Sequence, residues 1–398
     1  LNDDQMAHAK SGMWWENEGQ RALANNSVAY KGKPEMGTFM REWVSLYESK
    51  SGERGIFNRK SAQVQAAKNG RRDADHDFGC NPCSEIILRP YQFCNLSEVV
   101  ARAGDTEKTL ATKVGLATIL GTFQSTLTDF KYLRNIWKKN TEEERLLGVS
   151  LTGIMDNELL SGNSATLGTN ISSTLELLRE VAVETNKGMA KKLGIPRSTA
   201  ITCVKPSGTV SQLVDSASGI HARHNAHYIR TVRGDNKDPL TQFLTSQGIP
   251  AEADVMKPES TTVFSFPMAS PRGAVTRTIL TAIEQLELWL TYQRHWCEHK
   301  PSVTISVKES EWMDVGAWVY KHFDEVSGIS FLPFSDHTYK QAPYQDCTED
   351  EYDAMLAQMP TSVDWSLLQE FEKEDTTSGG RELACTADAC EIVDLNAA

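Results

Sequence analysis

Apolar residues recur at helical spacing through residues 108–133, where Leu110, Val114, Ile119 and Leu120 mark the buried side, and this predicts a helix. Thr141 followed by Glu144 has the form of a capping box, predicting a helix that opens there and runs toward Gly148 and beyond. Leu175, Leu178, Val181 and Val183 predict another over 173–192, stopping at Gly194 with Pro196 just after. Ala200–Val204 reads as a short strand leading into the loop Lys205-Pro206-Ser207-Gly208. The pattern then predicts a helix near 238–247, a strand near 260–266, a long helix near 276–299 and a strand near 302–307. A helix near 311–325, a strand near 329–333 and helices within 351–371 complete it. Alternation of this kind favours an α/β fold with parallel strands under covering helices. After Glu372 the pattern lapses. Residues 1–372 read as the folded body and 373–398 as a flexible polar tail, which nevertheless carries Cys385 and Cys390.

Composition narrows the class. A length of 398 residues allows two or three domains or one large α/β barrel. With 41 Lys and Arg against 53 Asp and Glu, the net charge of −12 argues against a nucleic-acid or membrane-surface binder. No apolar run is long enough for a transmembrane helix, and the start, LNDDQMAHAKSG, has neither a signal-peptide pattern nor an initiator Met. Eight Cys are too sparse for a disulfide scaffold, so a cytoplasmic protein with reduced thiols is expected. Clustered Cys then signal chemistry.

The densest cluster is Gly79-Cys80-Asn81-Pro82-Cys83-Ser84-Glu85, with Cys94 following in Phe93-Cys94-Asn95-Leu96-Ser97. Small buried core thiols are one reading. The CxxC spacing of Cys80 and Cys83 also suits half a zinc site, though a second ligand pair is needed, or thioredoxin-like exchange, though the βαβ context is absent. The fourth reading is radical or redox catalysis by a thiol with a carboxylate two residues on. A second constellation, Lys205 to Ser211, combines a strand end, a Gly/Ser/Thr loop and a helix start, which suits an anion or serves simply as a turn. It lacks the ending of a Walker motif. His221, His224 and His227 could cluster on a helix or line a polar loop. His295-Trp296-Cys297-Glu298-His299 matches a zinc-hydrolase pattern literally, and equally suits the cationic end of a helix before Lys300-Pro301.

From Asn81-Pro82-Cys83-Ser84-Glu85 with Cys94 eleven residues on, the chain resembles a ribonucleotide reductase catalytic subunit. Ser51–Asn58, Glu143–Asp156, Lys205–Ser211, Pro301–Val307 and Ile329–Tyr344 resemble further family segments in family order, together spanning most of residues 20–345. The oxygen-dependent class carries an adjacent tyrosine pair and the anaerobic class a glycyl-radical motif, and this sequence has neither. The adenosylcobalamin-dependent class remains, which the stretch at 220–224 and the Cys-x4-Cys tail also resemble.

The resemblance implies about the second half of a ten-stranded α/β barrel, with the radical cysteine, Cys83, on a central loop. It implies adenosylcobalamin as cofactor, without placing its contacts, and no structural metal. Glu85 is the implied general base on the ribose 3′ hydroxyl, and Asn81 the implied hydrogen-bond partner of the sugar hydroxyls. Cys94 matches one of two reducing thiols, while Cys385 and Cys390 match the pair that passes electrons from a thioredoxin-type reductant. Ser84 and the loop residues Pro206, Ser207, Gly208, Thr209, Val210 and Ser211 are implied to hold the ribonucleotide substrate. The family's other reducing thiol lies upstream of the radical loop, where this chain has no Cys, so an N-terminal half is an implied partner. Cys203 has no motif match; Cys297 and Cys347 are read as structural. A non-catalytic nucleotide- or partner-binding fragment and a zinc hydrolase remain as competing functions.

Overall fold

The computed structural model describes residues 3–11, 20–21, 26–162, 170–334, 340–372, 381–382 and 392–393. The chain divides into two compact units. The first comprises Leu1–Ala222, Gly273–Val275 and Ile279–Phe334; the second comprises Arg223–Arg272, Thr276–Thr278 and Ser335–Ala398.

The first unit is a mixed α/β structure. Strands β1 (Ser27–Tyr30) and β2 (Gly55–Asn58) are followed by the short antiparallel pair β3 (Gly79–Cys80) and β4 (Ile87–Leu88). Then come β5 (Asn95–Val100), β6 (Leu147–Thr152) and β7 (Thr202–Cys203), which run parallel in that order. In the same unit β11 (Thr304–Val307) pairs parallel with β12 (Gly328–Pro333), β12 pairs antiparallel with β2, and β2 pairs parallel with β1. A parallel bridge from Val204 to Pro301 joins β7 to the start of β11. The resulting run, β5-β6-β7-β11-β12-β2-β1, is open among the described residues, with β5 and β1 each paired on one side only.

All six residues of β6 are buried, as a central parallel strand covered on both faces requires. That corrects the helix predicted to open at Thr141. Thr141 lies instead in the last turn of the helix Asn135–Glu144, which ends at Arg145 in the left-handed region, φ 46°. Other helices begin and end for the reasons their sequences supply. Glu107–Gln124 opens on a Thr106/Thr109 capping box and stops nine residues short of the predicted end. Ile171–Leu193 opens on the Asn170 side chain and closes on Gly194 at φ 66°, behind Lys191 and Lys192. Ala282–His295 starts at a Thr281/Glu284 capping box, so the predicted helix over 276–299 is shorter at both ends. These helices pack Leu110, Val114, Leu175, Leu178, Leu286, Trp289 and Tyr292 against Val149, Leu151 and Ile305 of the sheet.

In the second unit β8 (His227–Asp235) and β10 (Thr261–Ala269) form a long antiparallel pair, flanked by β9 (Ala251–Ala253) and β13 (Tyr344–Asp346). Phe243 of the helix Pro239–Ser246 meets Trp365 and Phe371 there. Among the described residues no helix is long and apolar enough to cross a membrane.

Candidate active site

The β3/β4 pair carries the cysteine cluster as a finger, with Cys80 opposite Ile87 and residues 81–86 forming its tip. The tip is braced from within: the Ser84 N–H donates to the Asn81 carbonyl at 2.8 Å, and the Ile86 N–H donates to Asn81 Oδ1 at 3.0 Å. Ser84 takes a left-handed backbone, φ 69°. Gly148 of β6 leaves room beneath the finger, since a Cβ there would stand 2.9 Å from Ile86 Cδ1.

The segment that follows the helix Ala282–His295 holds the finger from outside. Lys300 N–H donates to the Glu85 carbonyl at 3.2 Å, and Ser302 Oγ donates to the Cys83 carbonyl at 2.6 Å. Lys300 Nζ donates to Ser84 Oγ at 2.6 Å. His299 is fully buried; its Nδ1 accepts from the Ile87 N–H at 3.3 Å and its Nε2 donates to the Leu147 carbonyl at 2.9 Å. Burial, then the nearby Arg72, pushes the His299 pKa down to about 3, in keeping with a neutral ring that accepts at one nitrogen.

This disposes of the zinc-hydrolase pattern. His295 Nδ1 meets Glu176 at 2.8 Å, and Glu298 is held by Arg71 and Asn69. Both nitrogens of His299 are engaged, as just described. The cationic helix end holds for Arg294 and His295, which lie in the last turn of Ala282–His295, but the helix stops there and Lys300 is wholly buried. His221 bonds the Ser218 carbonyl and the Thr304 N–H, His224 pairs with Asp346, and His227 packs on Tyr352. Among the described residues no group of three or more His, Cys, Asp or Glu is arranged to hold a metal.

Electrostatics single out a few groups. Glu85 is 1% exposed, and neither carboxylate oxygen meets a partner at full hydrogen-bond geometry, although the Asn81 side chain lies within its influence. Burial raises its pKa, against the smaller opposing effects of Asn81, Lys205 and Lys300. Burial, then Glu85, raises the Cys83 thiol, and the same two causes raise Cys94. Lys205 acts on Cys83, Glu85 and Glu98 alike, which places the start of the 205–211 loop beside the finger. That loop is anchored to β6 by the Lys205 N–H, which donates to Ser150 Oγ at 2.8 Å. Ser207 is buried with φ 57°, Gly208 and Thr209 are exposed, and Ser211 Oγ bonds Ser218 Oγ. Val210 begins a single helical turn, Val210–Leu213. Pro206 lies between these groups, half-buried.

The structure thus brings Asn81, Cys83, Ser84, Glu85, Cys94 and Ser207 into one region. Cys385 and Cys390 lie outside the described residues. Three contributors escaped the sequence reading: Glu98, Lys300 and Ser302. Glu98 carries a signal, a carboxylate inside the strand pattern of β5, and burial raises its pKa as well. Oε1 of Glu98 and Oγ of Ser207 are buried like the Glu85 oxygens and face each other, Ser207 drawing the Glu98 pKa down against burial.

No protein-family model matches the chain. It is 26% identical over 347 residues to the adenosylcobalamin-dependent ribonucleoside-triphosphate reductase of Euglena gracilis, covering 85% of this chain and 46% of that protein. It is 25% identical over 411 residues to the Lactobacillus leichmannii protein of the same name, covering 94% and 53%. A probable reductase of this kind from Dictyostelium discoideum is 29% identical over 331 residues, covering 80% and 41%. The chain spans about half the length of the curated relatives it matches. Its fold matches the crystal structure of a B12-dependent (class II) ribonucleotide reductase with a TM-score of 0.74 at 23% identity, covering 94% of this chain and 55% of that one. In sequence and in fold, the chain is therefore related to the adenosylcobalamin-dependent ribonucleotide reductases, over about half of their length.

Proposed function

We propose that this chain supplies the reacting half of a ribonucleotide reductase, converting ribonucleotides to 2′-deoxyribonucleotides. The observation that carries the reading is the Cys83 thiol beside the buried Glu85 carboxylate. The relatives are named as triphosphate reductases, which favours a ribonucleoside triphosphate as substrate. Adenosylcobalamin, when bound, supplies the one-electron chemistry that side chains lack, and the half-exposed Cys83 thiol is a donor suited to receive it.

In this reading Cys83, as a thiyl, takes hydrogen from the 3′ carbon of the ribose, and Glu85 removes the proton of the 3′ hydroxyl. A carboxyl whose pKa is raised by burial is a stronger base than a solvated one. Asn81 Oδ1 is engaged within the finger, so its amide donor is the part that orients the sugar. Ser84 contacts the substrate, and residues 206–211 hold its phosphates from the side of Lys205. The 2′ hydroxyl leaves as water with two electrons from a thiol pair, of which Cys94 is one member. The other belongs to the remaining half of the enzyme, whose strands also complete the ten-stranded barrel around the open sheet. Cys385 and Cys390 reduce the resulting disulfide by exchange and are recharged by a thioredoxin-type protein, in the cytoplasm.

The test uses this chain with the missing portion supplied. Cys83→Ser is expected to abolish deoxyribonucleotide formation while nucleotide binding persists. Turnover retained by that variant sinks the assignment.

A further inference from the structure

Lys300 is fully buried, and the chemistry proposed above makes no use of it. A buried ammonium is costly unless protein groups replace its water. Here Nζ donates to Ser84 Oγ at 2.6 Å, approaches the Ser327 carbonyl at 3.4 Å and stands 4.9 Å from the centre of the Phe57 ring. Gly328 of β12 makes the room: a Cβ there would stand 1.9 Å from Nζ and 2.5 Å from Ser84 Oγ. The acceptor is itself unusual. Ser84 has φ 69°, a region that residues with a Cβ enter at a cost. Ser84 sits between Cys83 and Glu85, whose carbonyls the Lys300–Ser302 segment also holds.

We propose that Lys300 is a positioning residue: seated in the niche beside Gly328, its side chain holds Ser84 in the left-handed conformation and so fixes the Cys83 thiol and the Glu85 carboxylate on either side of it. Ser84 is then more than a substrate contact. It is the point at which β12 and the segment after the long helix set the geometry of the reacting finger. A chain with glycine at 84 has no need of the clamp, because glycine adopts this backbone unaided.

The inference rests on reading residues 81–85 as the reacting loop, and its test needs no turnover. In the full chain, Lys300→Met is followed by hydrogen exchange at the Ser84 and Ile86 amides and by iodoacetamide alkylation of Cys83, read peptide by peptide. Both are expected to quicken about fivefold, the worth of one net hydrogen bond. Exchange in the helix Ile171–Leu193 should be unchanged. Adding Ser84→Gly is expected to bring both rates back toward those of the parent, a rescue that general loss of packing would not show. If Lys300→Met does not fold, Ser84→Ala removes the acceptor, keeps the lysine and carries the same expectation. Unchanged rates in a folded Lys300→Met or Ser84→Ala chain, or the absence of rescue by glycine, overturns the proposal. Failure of the reductase reading is separately visible as turnover retained by Cys83→Ser.

Discussion

His299 shows how a residue's type misleads until its surroundings are known. Beside His295 and Glu298 it completes a metal-site pattern, yet in the fold it ties Ile87 of the finger to Leu147 of β6. Its folded pKa of about 3 lies below the ordinary histidine value because burial penalises the cation. Below about pH 6.5 the unfolded chain binds a proton there that the folded chain refuses. The stability this neutral ring preserves is therefore complete above that pH and is lost as the pH falls toward 3. The expected slope approaches about 1.4 kcal/mol per pH unit for this one group. Urea midpoints measured between pH 7.5 and 5 should fall more steeply for the parent than for His299→Gln, which cannot take up the proton; parallel curves would refute the assignment. Glu85 acts in the opposite sense. Its raised pKa contributes stability at low pH that is lost as the pH climbs through the folded value. The proposed general base therefore weakens the fold at neutral pH, and only the site reading gives that a purpose.

Among the elements, those with a local cause were legible in the chain. The helix Ile171–Leu193 follows from its apolar spacing and its glycine stop, and the strand Gly328–Pro333 from its apolar run. Where the cause is not local, the pattern misleads. The Thr141/Glu144 spacing matches a capping box, but Glu144 is instead drawn to Arg72. Arg72 Nε and Nη2 meet Glu144 Oε1 and Oε2 at 3.0 and 2.9 Å, and Nη1 meets the Ile87 carbonyl at 2.9 Å. The two side chains are only 1% and 4% exposed, so this pair locks the helix Asn135–Glu144 to the base of the finger. Arg72→Met removes the bidentate partner of buried Glu144, leaving Arg89 at 4.0 Å as its counter-charge, and is expected to cost about 3 kcal/mol by urea unfolding. A loss below about 1 kcal/mol would mean the pair is no more than a surface bridge. The long strand β8 is not legible locally, because its apolar residues Tyr228, Ile229 and Val232 follow no period of two and are interrupted by Arg230 and Arg233, so the stretch reads as polar loop.

At the scale of the whole molecule, the first unit's strands β5, β6, β7, β11 and β12 lie parallel, with β2 and β1 running the other way, and among the described residues the run does not close. Open sheet edges expose unpaired backbone groups, and closure removes them. Together with relatives about twice as long, this leads us to expect no turnover from the chain alone and turnover once the remaining half is supplied. Activity absent in both cases would favour the non-catalytic binding fragment. The sequence by itself determined the alternation of strands and helices, the acidic balance, and the Asn81–Glu85 and Lys205–Ser211 motifs, because each is written in neighbouring residues. Only the tertiary structure decided what surrounds Cys83. Lys300, Ser302 and Gly328 lie more than two hundred residues away from it in the chain, and Glu98 becomes a half-buried carboxylate only once β5 is in place. Burial and side-chain pairing depend on contacts across the chain, and no local pattern records which distant lysine will fill a glycine's space.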